Sequence, residues 1–339
     1  MTFQPLKSYI SANIPFDVLY KISKENILIP YYHMVSDDDV LHIKHLYPYK
    51  KVKQFVDDLD FILEKFSPVG LNDVLQYFNH KKTLPPKALH LTFDDGFREI
   101  YDIIAPILSR KGIPATFFVS SGFIDNKILC YQHKASILAE HTLRNDYSPE
   151  IKNKIKSIFF ENDLEFRDIM TGILSIKYRN RFLIDEIADS MHIDFSDYLS
   201  KTKPYLTKEQ IQKLIGDGFS IGAHSIDHPL YADLSLEEQL HQTAESINFL
   251  KETFNLDYSV FAFPHSDSGV SRQYYSKIKE MGLTDMSFGT SNMMEDVIPD
   301  NFQRFSLEKP LWPAKKIIAL QYAKRFWRMA KGKNRIHRN

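Results

Sequence analysis

The chain has 339 residues, 43% of them hydrophobic, and its 43 Lys+Arg balance 43 Asp+Glu, so the formal net charge is zero. That is enough apolar material for the buried core of one barrel or two smaller domains, and the absence of a charge excess removes any bulk electrostatic case for nucleic acid as a partner. A single cysteine, Cys130, excludes an internal disulfide, and no stretch nears the roughly 20 apolar residues that span a bilayer.

Residues 1–26 carry no apolar h-region followed by a small-residue cleavage site, which makes the cytoplasm the expected location. Residues 27–33 (ILIPYYH) read as a buried strand ending in a histidine. Apolar residues at three- and four-residue steps predict a helix over 52–66, and a second over 71–78. After Pro85-Pro86, residues 88–93 (ALHLTF) form a strand that runs into Asp94-Asp95-Gly96. A helix over 99–111 stops at Gly112 and Pro114, and 115–120 (ATFFVS) is the next strand. Strands alternating with helices argue for a parallel α/β sheet or barrel.

Between residues 126 and 203 the pattern changes. Ile137, Leu138, Ile155, Ile158, Phe159, Ile169, Leu174 and Ile184 recur at helical spacing with no strand between them, which predicts a helical insertion. Alternation then resumes. Thr207 and Gln210 form a capping box, 219–224 (FSIGAH) is a strand, and Ser235 with Glu238 caps a helix reaching about residue 254. Residues 258–263 (YSVFAF) are a strand ended by Pro264, 273–281 a helix, and 301–307 (NFQRFSL) the last strand. The division expected is 1–125 and 204–310 as the two parts of one α/β barrel, 126–203 as the insertion, and 311–339 as a tail. In that tail Ile317, Ile318, Tyr322, Phe326 and Trp327 mix with Lys315, Lys316, Lys324, Arg325 and Arg328, and nothing acidic follows Glu308. This is the pattern of a basic amphipathic helix, either packed on its own domain or lying at the inner face of a membrane.

Two clusters carry chemistry. Thr92-Phe93-Asp94-Asp95-Gly96 ends one strand and His224-Ser225-Ile226-Asp227-His228 ends another. Parallel α/β folds place function at the C-terminal strand ends, so both clusters face one opening. Two imidazoles and one carboxylate are a common donor set for a catalytic Zn²⁺ or Fe²⁺ with open positions, and a second, adjacent carboxylate is free to take a proton from the attacking water. Each cluster alone is weak evidence, since Asp-Asp-Gly is usually a turn and spaced histidines often lie on a surface.

Together, TFDDGF and GAHSIDHPL resemble the motifs of the polysaccharide deacetylase (NodB-homology) family. IPYYHMV, LPPKALHLTFDDGF, PILSRKGIPATFFVSSGF and FAFP follow in the family's order, over about residues 27–123 and 208–307. The resemblance implies a distorted barrel of the (β/α)7 type that hydrolyses N-acetyl groups of an N-acetylated glycan. It implies Asp94 as general base, and Asp95, His224 and His228 as ligands of one divalent ion, Zn²⁺ before Co²⁺, Fe²⁺ or Ni²⁺. It further implies that Phe263, Pro264 and His265 line the acetyl pocket, with the His265 amide stabilising the oxyanion. Three departures stand out. The third motif lacks its usual arginine, for which Arg304 is the substitute. His265 stands where tyrosine is common. The usual C-terminal Leu-x-x-His is missing, and His33 takes the general acid's place, as in a circularly permuted branch of the family. Tyr32 is read as part of the sugar site. Two other readings share these residues: a metal-dependent hydrolase of a non-sugar amide, and a glycan-binding protein whose catalytic set has decayed.

Overall fold

A computed structural model describes residues 16–23 and 26–339 of the chain. Residues 1–15 and 24–25, and with them most of the stretch searched for a leader, lie outside the described residues.

The sheet that organises the fold contains β1 (Pro30–Tyr32), β2 (Leu91–Phe93), β3 (Ala115–Val119), β4 (Ser220–Ala223), β5 (Val260–Ala262), β6 (Met286–Gly289), β7 (Asn301–Gln303) and β8 (Phe305–Ser306). Every pairing in it is parallel, in the order β7-β6-β5-β4-β3-β2-β1-β8. Only Arg304 separates β7 from β8. Residues 301–306 therefore act as one strand whose first half pairs with β6 (Asn301 opposite Ser287) and whose second half pairs with β1 (Phe305 opposite Pro30). This stretch closes the sheet on itself, giving the expected distorted seven-strand barrel.

Side chains alternate across this wall. Phe118, Val260, Ala262, Met286 and Phe288 belong to one small cluster inside the barrel. Their strand neighbours Phe93, Phe117, Val119, Phe261 and Phe263 belong to the larger core between strands and helices. Gly222 is required by the inner packing, because a Cβ there would stand 2.4 Å from the Phe118 ring. The single helix expected over 99–111 has a wide π turn at Ile100–Ile104 before Ala105–Lys111. Pro106, which lacks an N–H, lies in the first turn after it.

One polar network is buried outside the barrel. Asp58, on helix Val52–Lys65, pairs with Lys50 Nζ at 2.8 Å, and the two side chains are 2% and 1% exposed. Asp58 also accepts the Tyr32 hydroxyl at 3.1 Å and the Ala314 amide at 2.6 Å, while Lys50 donates to the Trp312 carbonyl at 2.7 Å. The network ties β1 to the start of the C-terminal helix. Asp58→Ala leaves the Lys50 ammonium buried without its counter-charge, so it is expected to cost about 3–5 kcal/mol. Urea unfolding of the two proteins measures this, and a change within experimental error contradicts it.

Residues 126–203 contain helices and turns but no strand. Helices Tyr131–Arg144, Pro149–Glu161, Ile169–Ser175, Phe182–Ser190 and Phe195–Thr202 enclose a core of their own. Leu138, Ile155, Phe159, Leu183 and Ile187 meet there with Val40 and Ile43 from the loop after β1.

The tail folds back on the domain. Helix Ala314–Ala330 buries Ile317, Ile318, Ala319 and Tyr322 in the main core. Arg325 is buried too, donating to the Ser23 and Met293 carbonyls at 2.9 and 2.6 Å and to Glu295 at 2.9 Å. Strand Arg335–Ile336 pairs with Glu295–Asp296, and Arg338 bridges Asp267 and Asp296. Of the two arrangements expected for the tail, the packed helix is the one seen: the apolar side of the helix lies against the barrel. Among the described residues, no helix is long and apolar enough to cross a membrane.

Candidate metal and catalytic site

Asp94 and Asp95 leave the C-terminal end of β2 in opposite directions. Asp94 continues the inward alternation after Thr92 and meets Arg304, which enters from the closing strand. The guanidinium grips both oxygens, Nη1 to Oδ1 at 2.7 Å and Nη2 to Oδ2 at 2.8 Å, and Nη1 also donates to Thr92 Oγ1 at 3.1 Å. Arg304 is fully buried, with its guanidinium 4.9 Å from the centre of the Tyr31 ring. Burial alone would raise the Asp94 pKa, but Arg304 outweighs it and the carboxyl stays below its ordinary value. A fixed, ionised carboxylate results.

The backbone then turns through the left-handed region, with φ of +73° at Asp95 and +71° at Gly96. A Cβ at Gly96 would stand 3.0 Å from Val119 Cγ1, so glycine fits there by conformation and by space. At Asp95 the same conformation costs about 1–2 kcal/mol. It points the carboxylate at the end of β4, where His224 and His228 wait.

His224 Nδ1 donates to the Ala262 carbonyl at 2.8 Å. A carbonyl only accepts, so Nδ1 carries a proton and Nε2 is the nitrogen turned toward the site. His228 reaches the same place after a turn in which Ser225 and His228 have φ of +67° and +64°. Asp95 Oδ1 lies 3.3 Å from His224 Nε2 and 3.1 Å from His228 Nε2, and all three residues are buried. Burial acts to raise the Asp95 pKa, and the two imidazoles hold it well below the ordinary value. One oxygen and two nitrogens converge within 4.8 Å of one another. Asp95 Oδ1 has no hydrogen-bond partner. Two imidazole nitrogens and a carboxylate oxygen meeting this way fit a divalent cation.

His33 lies one residue past β1, on the same face as Tyr31. Its Nδ1 is 2.5 Å from Glu308 Oε2, while Glu308 Oε1 accepts the amides of His33 and Met34 at 2.6 and 2.9 Å. Burial pulls the imidazole pKa down, but Glu308 overrides it and raises the value to about 9. His33 is thus protonated at neutral pH and equipped as a proton donor. Replacing Glu308 by Gln removes the charge that holds this proton. In the variant the alkaline limb of kcat/KM should move from the wild-type position toward the ordinary imidazole value of about 6.5. The difference between the two profiles is the readout, since a bound cation lowers both. Superimposable profiles contradict the assignment.

Sequence reasoning missed Glu308 and Tyr47. Glu308 is the last acidic side chain of the chain and lies two residues past the closing strand, a position that hints at the site without naming its partner. Tyr47 comes from the loop after β1 and donates its hydroxyl to Asp95 Oδ2 at 3.2 Å.

Two expected site residues stand elsewhere. Tyr32 is fully buried on the outer face of β1, stacked on Phe93 at 5.6 Å and bonded to Asp58, so it does not line a sugar site. Phe263 also faces outward, its ring 5.2 Å from Tyr231 and 5.8 Å from Tyr274. The cause is the two-residue period of the strands: Tyr31 and His33 point inward, so Tyr32 cannot. Pro264 is buried at the end of β5, and His265 stands exposed after it at φ +57°, its ring 4.4 Å from that of His228.

Residues 81–286 match the family model for polysaccharide deacetylases, which is more than half of the chain. The chain belongs to the polysaccharide deacetylase family. It is therefore a hydrolase by family, and the buried Asp95, His224 and His228 set suits the metal dependence general to polysaccharide deacetylases. The span that matches the polysaccharide deacetylase model contains Asp94, Asp95, His224, His228 and His265, but not His33, Arg304 or Glu308.

Solved structures share the fold of this polysaccharide deacetylase. The Streptococcus pyogenes deacetylase PplD in complex with acetate has a TM-score of 0.55 at 15% identity, over 87% of this chain and 97% of that one. A de-N-acetylase from Aggregatibacter actinomycetemcomitans has a TM-score of 0.54 at 14% identity, over 87% and 99%. IcaB from Ammonifex degensii has a TM-score of 0.53 at 16% identity, over 87% and 97%. No curated protein sequence matches the chain.

Proposed function

We propose that this chain is a metal-dependent N-deacetylase acting on an N-acetylated glycan of a bacterial surface polysaccharide. The observation that carries the reading is the convergence of Asp95 Oδ1, His224 Nε2 and His228 Nε2 beside a second carboxylate, Asp94, kept ionised by Arg304. Zn²⁺ suits two imidazoles and one carboxylate best, and Co²⁺, Fe²⁺ and Ni²⁺ suit the same donors. A divalent ion held by Asp95, His224 and His228 would supply Lewis acidity, to polarise the acetyl carbonyl and lower the pKa of the attacking water.

Asp94 takes a proton from the attacking water as the oxygen adds to the amide carbon. Arg304 holds that base in one orientation and keeps it charged until it is used. The backbone amide of His265, three residues past β5, is assigned to the developing oxyanion, as donors in acyl-transfer sites are. His33, carrying the proton that Glu308 stabilises, gives it to the departing nitrogen as the C–N bond breaks. The products are acetate and a free amino sugar, and through exchange with solvent Asp94 loses the proton it took while His33 regains the one it gave.

The experiment is acetate release from N-acetylglucosamine oligosaccharides, before and after chelation and with Zn²⁺ or Co²⁺ added back. Release that is lost with the chelator and restored by the ion is the result expected. Release from small non-sugar acetamides alone, or none from either class, overturns the glycan reading.

A further inference from the structure

The helical insertion takes no part in the steps above, yet it grips the loop that enters the site. Leu41, Leu46, Tyr47 and Tyr49 of that loop pack on the insertion's core. Helix Tyr131–Arg144 fixes the loop through two side chains. Ser136 Oγ donates to the Leu41 carbonyl at 2.8 Å and accepts the His45 amide at 3.2 Å. Glu140 meets His45 Nε2 at 2.7 Å and Lys44 Nζ at 3.0 Å. Two residues past His45, Tyr47 turns into the cleft, with its ring 4.9 Å from that of His33 and its hydroxyl on Asp95 Oδ2.

The two oxygens of Asp95 are therefore treated differently. Oδ1 faces both histidines and has no hydrogen-bond partner, whereas Oδ2 is held by a phenol at 3.2 Å. A carboxylate binds a cation through one oxygen or through both. With Oδ2 engaged, Asp95 offers one oxygen, and a coordination position that its second oxygen would fill stays open to water and the acetyl carbonyl. Hydrogen bonds to ligating side chains orient them, and their loss typically weakens metal affinity about 10–100-fold.

We propose that Tyr47 is a positioning residue that restricts Asp95 to one-oxygen ligation, and that the insertion, through Ser136 and Glu140, is the clamp that keeps it there. The inference rests on the metal-dependent reading given above. It assigns the insertion a part in building the metal site.

The test uses the full chain, Co²⁺ as the probe, and the variants Tyr47→Phe and Glu140→Ala. Tyr47→Phe removes a single oxygen atom, and a thermal melt confirms that the fold is kept. Its Co²⁺ Kd should rise about 10–100-fold, its visible Co²⁺ band should shift, and kcat should fall with KM little changed. Glu140→Ala, which touches neither the ion nor Asp95, should shift the band in the same direction by less. A Tyr47→Phe protein with wild-type Kd and spectrum overturns the inference while acetate release by the wild type leaves the deacetylase standing. A Tyr47→Phe effect with no change in Glu140→Ala overturns the clamp. A wild-type chain that binds no Co²⁺ overturns the inference and the metal-dependent reading together.

Discussion

Asp94→Asn is expected to lower kcat/KM for deacetylation by about 10²–10⁴-fold. The amide keeps the shape of the carboxylate but has no affinity for a proton at neutral pH, so water loses its base. The metal donors are separate side chains, and the Co²⁺ affinity of Asp94→Asn should stay within a few-fold of wild type. The substitution also leaves Arg304, fully buried, facing a neutral group. A buried ion pair broken from one side costs about 3–5 kcal/mol, and the variant should melt at a lower temperature in proportion. Activity is therefore compared below the melting transition of both proteins. A variant that retains wild-type kcat/KM removes Asp94 from the reaction.

Arg304→Met should be as damaging, for a different reason. Without the guanidinium, the effect of burial on Asp94 is opposed only by the nearby His224 and His33, and the carboxyl pKa rises. In the wild type the depressed pKa means that ionised Asp94 stabilises the fold above the pKa of the unfolded chain, and that this stability is lost as pH falls through the folded value. In Arg304→Met that contribution shrinks, and it is lost at a higher pH than in the wild type. The acid limb of kcat/KM should move to higher pH, with a loss of stability of about 3–5 kcal/mol near neutrality. The pH–rate profile and a melt at two pH values measure both. An unmoved acid limb contradicts the role given to Arg304.

The parts of the site that were legible in the sequence are those that local chemistry writes into a short stretch. Asp94, Asp95, His224 and His228 sit directly after strand patterns, so an alternating fold brings them to one end. Arg304 was legible only as a residue needed to fill a gap in the third motif. Its pairing with Asp94 spans 210 residues and depends on how the barrel closes. Glu308 is harder still, because nothing near it in sequence signals that β8 lies beside β1 and hands its end to His33.

The errors have equally local causes. Tyr31, Tyr32 and His33 read alike as aromatic residues at a strand end, and only the face each occupies separates site from core. Phe263 fails for the same reason. Strands were expected to run a residue or two further at each end than they do, as with 258–263 against Val260–Ala262. The tail's mixture of Lys, Arg and aromatic residues fits a membrane surface or a packed helix equally well. Its packing depends on partners such as Glu295 and Asp296, which precede the tail in the chain and meet Arg325 and Arg338 only in the fold.

X-ray diffraction from crystals soaked in Zn²⁺, recorded at the zinc absorption edge, tests the central claim most directly. The account predicts one anomalous peak per chain in this cleft, about 2.0–2.2 Å from Asp95 Oδ1, His224 Nε2 and His228 Nε2, with Asp94 unligated beside it. Zinc bound only elsewhere, or Asp94 in place of Asp95 in the coordination sphere, contradicts it.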